Sequence, residues 1–147
     1  MKKNILIIKR SSLVIMIISL IVATIYAELG IFQFNQEYGV MQPYYTAMRI
    51  SCLVDAAVYV VAALMCFRIF RNGRPFTRGN IWSVRGIAGL FLVNTVLTVI
   101  IEGSSEGFFK IFISRGTGYV FLAGIFLFVA EILRYGKLLQ IESDETL

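Results

Sequence analysis

Histidine is absent from the chain, and cysteine occurs only twice, as Cys52 and Cys66. Without histidine or a cysteine cluster, the usual zinc, haem, Cys/His and Ser/His/Asp arrangements are excluded, so no metal, cofactor or catalytic set is expected. The two cysteines fall in one expected helix, about 21 Å apart at 1.5 Å per residue, too far to bridge each other. Charge is scarce as well. The charged fraction is 16%, against about 25% in soluble domains, and it is gathered into short blocks between long apolar runs. No internal repeat, low-complexity tract or heptad pattern interrupts those runs.

What fills the space is apolar. Of 147 residues, 58% are hydrophobic, and the mean hydropathy is +0.78, an excess that needs lipid to cover it. The net charge of +5 and pI near 9.4 raise the question of nucleic acid. The cations flank hydrophobic segments and form no solvated basic face, so anionic lipid headgroups are the expected partner and direct nucleic-acid binding is not.

Four transmembrane helices are expected, about 11–32, 47–67, 83–101 and 118–136. The first follows Lys2, Lys3, Lys9 and Arg10. A basic start before an apolar run also describes a signal peptide ending at Ala27, but the position three before that cut is Ile25 instead of a small residue, so retention is expected. An outer loop with Tyr38, Pro43, Tyr44 and Tyr45 suits the membrane interface. The second helix carries Arg49 and Asp55 in its outer half. The third, with 16 apolar-biased residues from Gly86 to Ile101, spans only if Ser83 to Arg85 extend it. The fourth ends near Arg134 and Lys137.

The connection from Arg68 to Arg85 holds five arginines, Arg68, Arg71, Arg74, Arg78 and Arg85, and no acid. Gly73 and Pro75 make its turn, Thr77 caps the helix starting near Arg78, and Trp82 belongs at the headgroups. This arrangement puts 11 cations on the side of the termini against three, Arg49, Lys110 and Arg115, on the other. The positive-inside rule then places both termini in the cytoplasm. The fold class is all-α, a single integral membrane four-helix bundle over residues 1–147.

Two constellations are candidates for function. A charge inside a span costs roughly 2.5–3.5 kcal/mol on insertion scales, so Asp55 needs a partner or a purpose. Arg49 lies six residues away, about 240° around the helix, and cannot pair with it on one face. Cys52, Asp55, Tyr59, Ala62 and Cys66 form one stripe, and Asn94, Thr98 and Glu102 another. With Arg49, Arg115 and Tyr119 they gather polar groups in the outer half, either as interhelical hydrogen-bonding glue or as a ligand pocket in which Arg115 or Arg49 partly neutralises Asp55. Asp55 and Glu131 read as the only deep acids, near opposite leaflets, and cannot form a dyad. Ser19, Ala23 and Ala27, and Gly86 with Gly89, read as small-residue faces for close helix approach, in this bundle or in a homodimer. The tail turns acidic at Glu142, Asp144 and Glu145, either as a solvated end or as a docking motif.

GRPFTRGNIWSVRGIA (Gly73 to Ala88) and EILRYGKLLQIESDETL (Glu131 to Leu147) resemble an uncharacterised family of small four-helix bacterial membrane proteins, a domain of unknown function. Its inner loop carries a Gly-x-Pro-Phe-Thr pattern followed by basic residues. Members of the family are often encoded beside a small helix-turn-helix regulator, which implies a membrane partner for a cytosolic regulator. The resemblance brings no catalytic residues. The expectation is a non-enzymatic regulatory or interaction protein of the bacterial cytoplasmic membrane, docking a soluble partner through Arg68, Arg71, Arg74, Phe76, Arg78, Trp82, Arg85, Glu142, Asp144 and Glu145. The alternative is a small transporter or immunity-type protein binding a ligand or ion around Asp55. A homodimer or a larger membrane complex stays open.

Overall fold

The computed structural model describes residues 2–33 and 42–145, all but a few of them helical. Helix α1 covers Lys2–Glu28 and closes in a π-helical turn, Leu29–Gln33. Helix α2 covers Gln42–Asn72, α3 Arg78–Glu106, α4 Phe108–Ile111, and α5 Thr117–Glu145 after a second π-helical turn, Phe112–Gly116. Four stretches, Ile5–Phe32, Pro43–Asn72, Arg78–Gly103 and Phe108–Ser143, are each long and apolar enough to cross a bilayer, which takes about 20 residues. The molecule is a multi-pass membrane protein.

Each of the four long helices exceeds its apolar run. Lipid offers no hydrogen bonds, so backbone groups near the membrane are satisfied by continuing the helix through polar residues. The third span is no longer marginal: α3 has 29 residues, not 16 to 19, because Thr77 starts it early and no breaker occurs before Gly107. Thr77 accepts the Asn80 backbone N–H at 3.3 Å, as an N-cap should. The helix ends at Gly107, whose φ of 97° lies in the region that glycine tolerates. The stretch expected as a second outer loop is therefore mostly helix. Pro43, Tyr44 and Tyr45 belong to the first turn of α2, and α5 carries the tail outward in helical form to Glu145. Residues 34–41, with Tyr38, and residues 146–147 lie outside the described residues.

Four hydroxyls within the spans are satisfied locally. Ser12, Thr24, Thr95 and Thr117 each donate to the carbonyl four residues earlier at 2.8–3.0 Å, which removes an unpaired hydroxyl from the apolar environment.

The helices pack in chain order. Among the described residues, α1 packs on α2, α2 on α3, and α3 on α5, with no close backbone approach between α1 and α5 or between α2 and α5, which meet through side chains around one cavity. The bundle is thus an open row. Buried residues make up 39% of the most apolar stretch of α3 but 11% of that in α1, which makes α3 the centre and α1 a lipid-facing edge. Val58, Ile87, Ala88, Phe91 and Ala123 form the larger core cluster, and Ile81, Val84 and Ala130 a smaller one nearer the arginine loop.

Small residues serve this packing unevenly. Ser19 and Ala23 are buried on α1, as expected of a close-approach face. Gly86 and Gly89 are exposed, with nothing within 4 Å of an added Cβ, so that expected face is not used among the described residues. The most crowded described glycine is Gly103, where a Cβ would lie 2.5 Å from the Phe108 ring and 3.0 Å from its Cα. Gly103→Ala should therefore destabilise the detergent-solubilised protein by about 1–3 kcal/mol, the usual cost of overpacking, while Gly89→Ala should leave it unchanged. Thermal unfolding of the two variants side by side checks this.

Candidate functional site

At the end of the molecule opposite the arginine loop, the row of helices curves around a cavity of about 590 Å³, a size typical of small-molecule sites. One wall is a stripe of α2: Tyr44, Met48, Ser51 and Asp55, with Cys52 beside it. The first four stand at i, i+4, i+7 and i+11, the spacing that keeps residues on one helical face. Thr98 comes from α3; Arg115, Gly118, Tyr119 and Leu122 come from the start of α5 and the turn before it; Tyr26 comes from α1.

Two polar links hold the walls. Ser51 Oγ donates to Asn94 Oδ1 at 3.0 Å and lies 3.4 Å from Thr98 Oγ1, tying α2 to α3. Asn94 is fully buried, with its side chain facing Tyr119 of α5. The second link is ionic: Arg115 donates to Glu102 Oε1 at 2.7 Å, and the Glu102 side chain is only 4% exposed. The Arg115 guanidinium also lies 4.7 Å from the centre of the Tyr44 ring, within cation–π range. One arginine thereby joins the end of α3, the turn before α5 and the start of α2. Nearby, Glu106 bonds Lys110 at 2.9 Å, and that bond holds the exposed Glu106 carboxyl below the usual carboxylate range.

Asp55 stands apart from these links. Its half-buried carboxylate lines the cavity, and among the described residues it makes no hydrogen bond or ion pair. The expectation that Arg115 neutralises Asp55 is corrected, because Arg115 is committed to Glu102. The expected inventory of deep acids is corrected too. Glu102 is the buried one, whereas Glu131 has a side chain 53% exposed and bonds Arg85 and Arg134 at the other end of the bundle.

Of the residues expected around the site, the structure brings Cys52, Asp55, Thr98, Arg115 and Tyr119 to the cavity and puts Asn94 and Glu102 behind its walls. Tyr59 turns instead to α1, where it stacks on Tyr26 at 5.6 Å between ring centres. Arg49 does not line the cavity. Ser51, Tyr44, Met48 and Tyr26 escaped the sequence reading. The α2 residues were legible as an i, i+4, i+7 stripe through Asp55, but Tyr26 had no such signal.

The arginine-loop end is built differently. Gly73, at φ 66°, closes α2, and Asn80 Nδ2 donates to the Pro75 carbonyl at 2.9 Å. Arg68 donates to Ser83 at 3.0 Å. Phe76 packs against Gly136, where a Cβ would meet its ring at 2.7 Å. Arg68, Phe76 and Arg85 are thus engaged within the fold. Arg71, Arg74 and Arg78 are exposed and form no hydrogen bond or ion pair among the described residues. Trp82 is 60% exposed, with Arg85 5.7 Å from its ring centre. Glu142 is exposed on the last turns of α5, whose backbone also carries Asp144 and Glu145.

A family described as "Protein of unknown function (DUF2975)" matches residues 12–147. The chain belongs to this family. The match runs from within the first span to the end of the chain, so the likeness noted in the inner loop and tail extends over the four-helix core. No curated protein and no solved structure matches the chain.

The ionic link yields a direct stability test. Removing one partner strands a buried charge, whereas removing both need not. Arg115→Leu should cost on the order of 3 kcal/mol, and adding Glu102→Leu should recover most of it. Unfolding midpoints of the single and double variants measure the difference.

Proposed function

We propose that the protein is a non-enzymatic binding protein of the bacterial cytoplasmic membrane that takes an amphipathic organic cation into the cavity beside Asp55. The observation that carries this reading is the unpaired Asp55 carboxylate in the wall of a cavity of about 590 Å³. A carboxylate in a membrane span is costly unless something compensates it, and a bound cation would do so. Tyr26 and Tyr119 line the same cavity, and aromatic faces attract desolvated cations. Met48 and Leu122 supply apolar wall for the rest of the ligand. Arg115, held by Glu102, does not compete for Asp55. With the arginine loop in the cytoplasm, as the cation count favours, the cavity belongs to the outer half of the membrane.

Tetraphenylphosphonium is a suitable probe because its charge is fixed and its body apolar. The full-length protein should bind it at one site, and Asp55→Asn should weaken binding about 10- to 100-fold, the value of one charge-assisted contact. Equal binding per folded molecule in wild type and variant would reduce Asp55 to a packing residue and end the proposal.

A second reading is favoured by the exposed arginines. Arg71 and Arg74 stand clear of the fold and offer a docking surface for an acidic patch on a cytosolic regulator, with the helical tail beside it. Arg71→Glu with Arg74→Glu should abolish co-purification of such a partner. Capture unchanged by the charge reversal would exclude this surface.

A further inference from the structure

The other end of the molecule contains a second concavity, independent of the Asp55 cavity. Between the first turns of α3 and the last turns of α5 lies a crevice of about 280 Å³ whose rim carries Arg78, Arg85, Arg134 and Lys137. The charge there is not balanced. Glu131 serves both Arg85 and Arg134, while Arg78 and Lys137 have no hydrogen bond or ion pair among the described residues. Four cations facing one carboxylate leave an excess of three positive charges, most of which a dianionic group would neutralise.

The floor of the crevice is apolar, with Ile81 buried and Leu138 and Ile141 beside it. Its depth matters. Arg78 begins one span and Lys137 lies near the end of another, so the rim sits where a bilayer places its phosphates. A free anion would use the rim alone, whereas a phospholipid would use both rim and floor.

We infer that this crevice is a specific site for one anionic phospholipid, its phosphate held between Arg78 and Lys137 and the start of an acyl chain lying along Leu138 and Ile141. Basic pockets between membrane helices bind such headgroups, and each cation near an anionic surface contributes severalfold to affinity. Headgroups carrying two phosphates match the charge excess best and bind ahead of singly charged ones. The site differs from the general attraction of a basic loop to an anionic membrane because it depends on two particular side chains, not on total charge.

The test uses the full-length protein in detergent, with retained lipid counted by native mass spectrometry. Cardiolipin, phosphatidylglycerol, phosphatidylcholine and inorganic phosphate are titrated separately. Wild type should retain one cardiolipin per chain, ahead of phosphatidylglycerol, and little phosphatidylcholine. Arg78→Gln with Lys137→Gln should weaken retention by roughly 20-fold, with the unfolding midpoint in lipid-free detergent unchanged. Arg71→Gln with Arg74→Gln, which removes the same charge outside the crevice, should have little effect. Equal losses from the two double variants would mean diffuse attraction and overturn the site, as would equal retention of phosphatidylcholine. Inorganic phosphate binding as tightly as lipid would overturn the lipid assignment.

Discussion

The ion pair between Glu102 and Arg115 is the contact on which this end of the molecule depends. Glu102 is buried near the end of the central helix, and a buried carboxylate without a partner costs several kcal/mol. Its partner comes from the π-helical turn before α5, on the far side of the Gly107 break. The pair therefore decides how the last span folds back on the third. Gly103 allows Phe108 to close over the bend, and the buried Gly116 brings the turn within 3.2 Å of Thr95, measured from the position a Cβ would take. Because Arg115 also faces Tyr44, the same contact positions the start of α2, and the cavity acquires three of its walls from one arginine.

The open order of the helices follows from a related constraint. In lipid there is little hydrophobic reward for gathering four helices around a common axis, since the tails are as apolar as the side chains. Helices associate where small residues or polar links favour it. Here α2 and α3 are joined by Ser51, Asn94 and Thr98, and α3 and α5 by Phe91, Tyr119 and Phe126 in ring contact. No comparable link joins α1 to α5 among the described residues, and the row stays open. The cavity lies at one end of the bundle and the crevice at the other. The two concavities differ in charge: the first presents a free carboxylate, the second a surplus of cations.

Much of this was legible from the residues. The four spans follow from apolar runs separated by clustered charge, and the cap at Thr77 and the turn at Gly73 follow from local backbone chemistry. Helix lengths were not legible, because hydropathy marks the lipid-covered part while the backbone's need for hydrogen bonds extends the helix beyond it. The candidate site was half legible. Asp55, Thr98 and Arg115 could be assigned to one region by spacing, but which carboxylate Arg115 serves depends on the bend at Gly107. Tyr59 and Asp55 are four residues apart on the same stripe, yet one meets α1 and the other the cavity. Such a division depends on how neighbouring helices cross, which periodicity does not encode.

A water-accessible cavity beside Asp55 that opens on the side opposite the arginine loop can be probed directly. The chain carries its own reporter, since Cys52 lines that cavity and Cys66, also buried and free, does not. A membrane-impermeant, positively charged methanethiosulfonate applied to oriented cells or vesicles measures access from each face. Cys52 should be modified from the outer face and Cys66 should not, and tetraphenylphosphonium should slow the reaction. Protection of Cys52 from both faces, or its modification only from the cytoplasmic face, would contradict an outward-opening cavity.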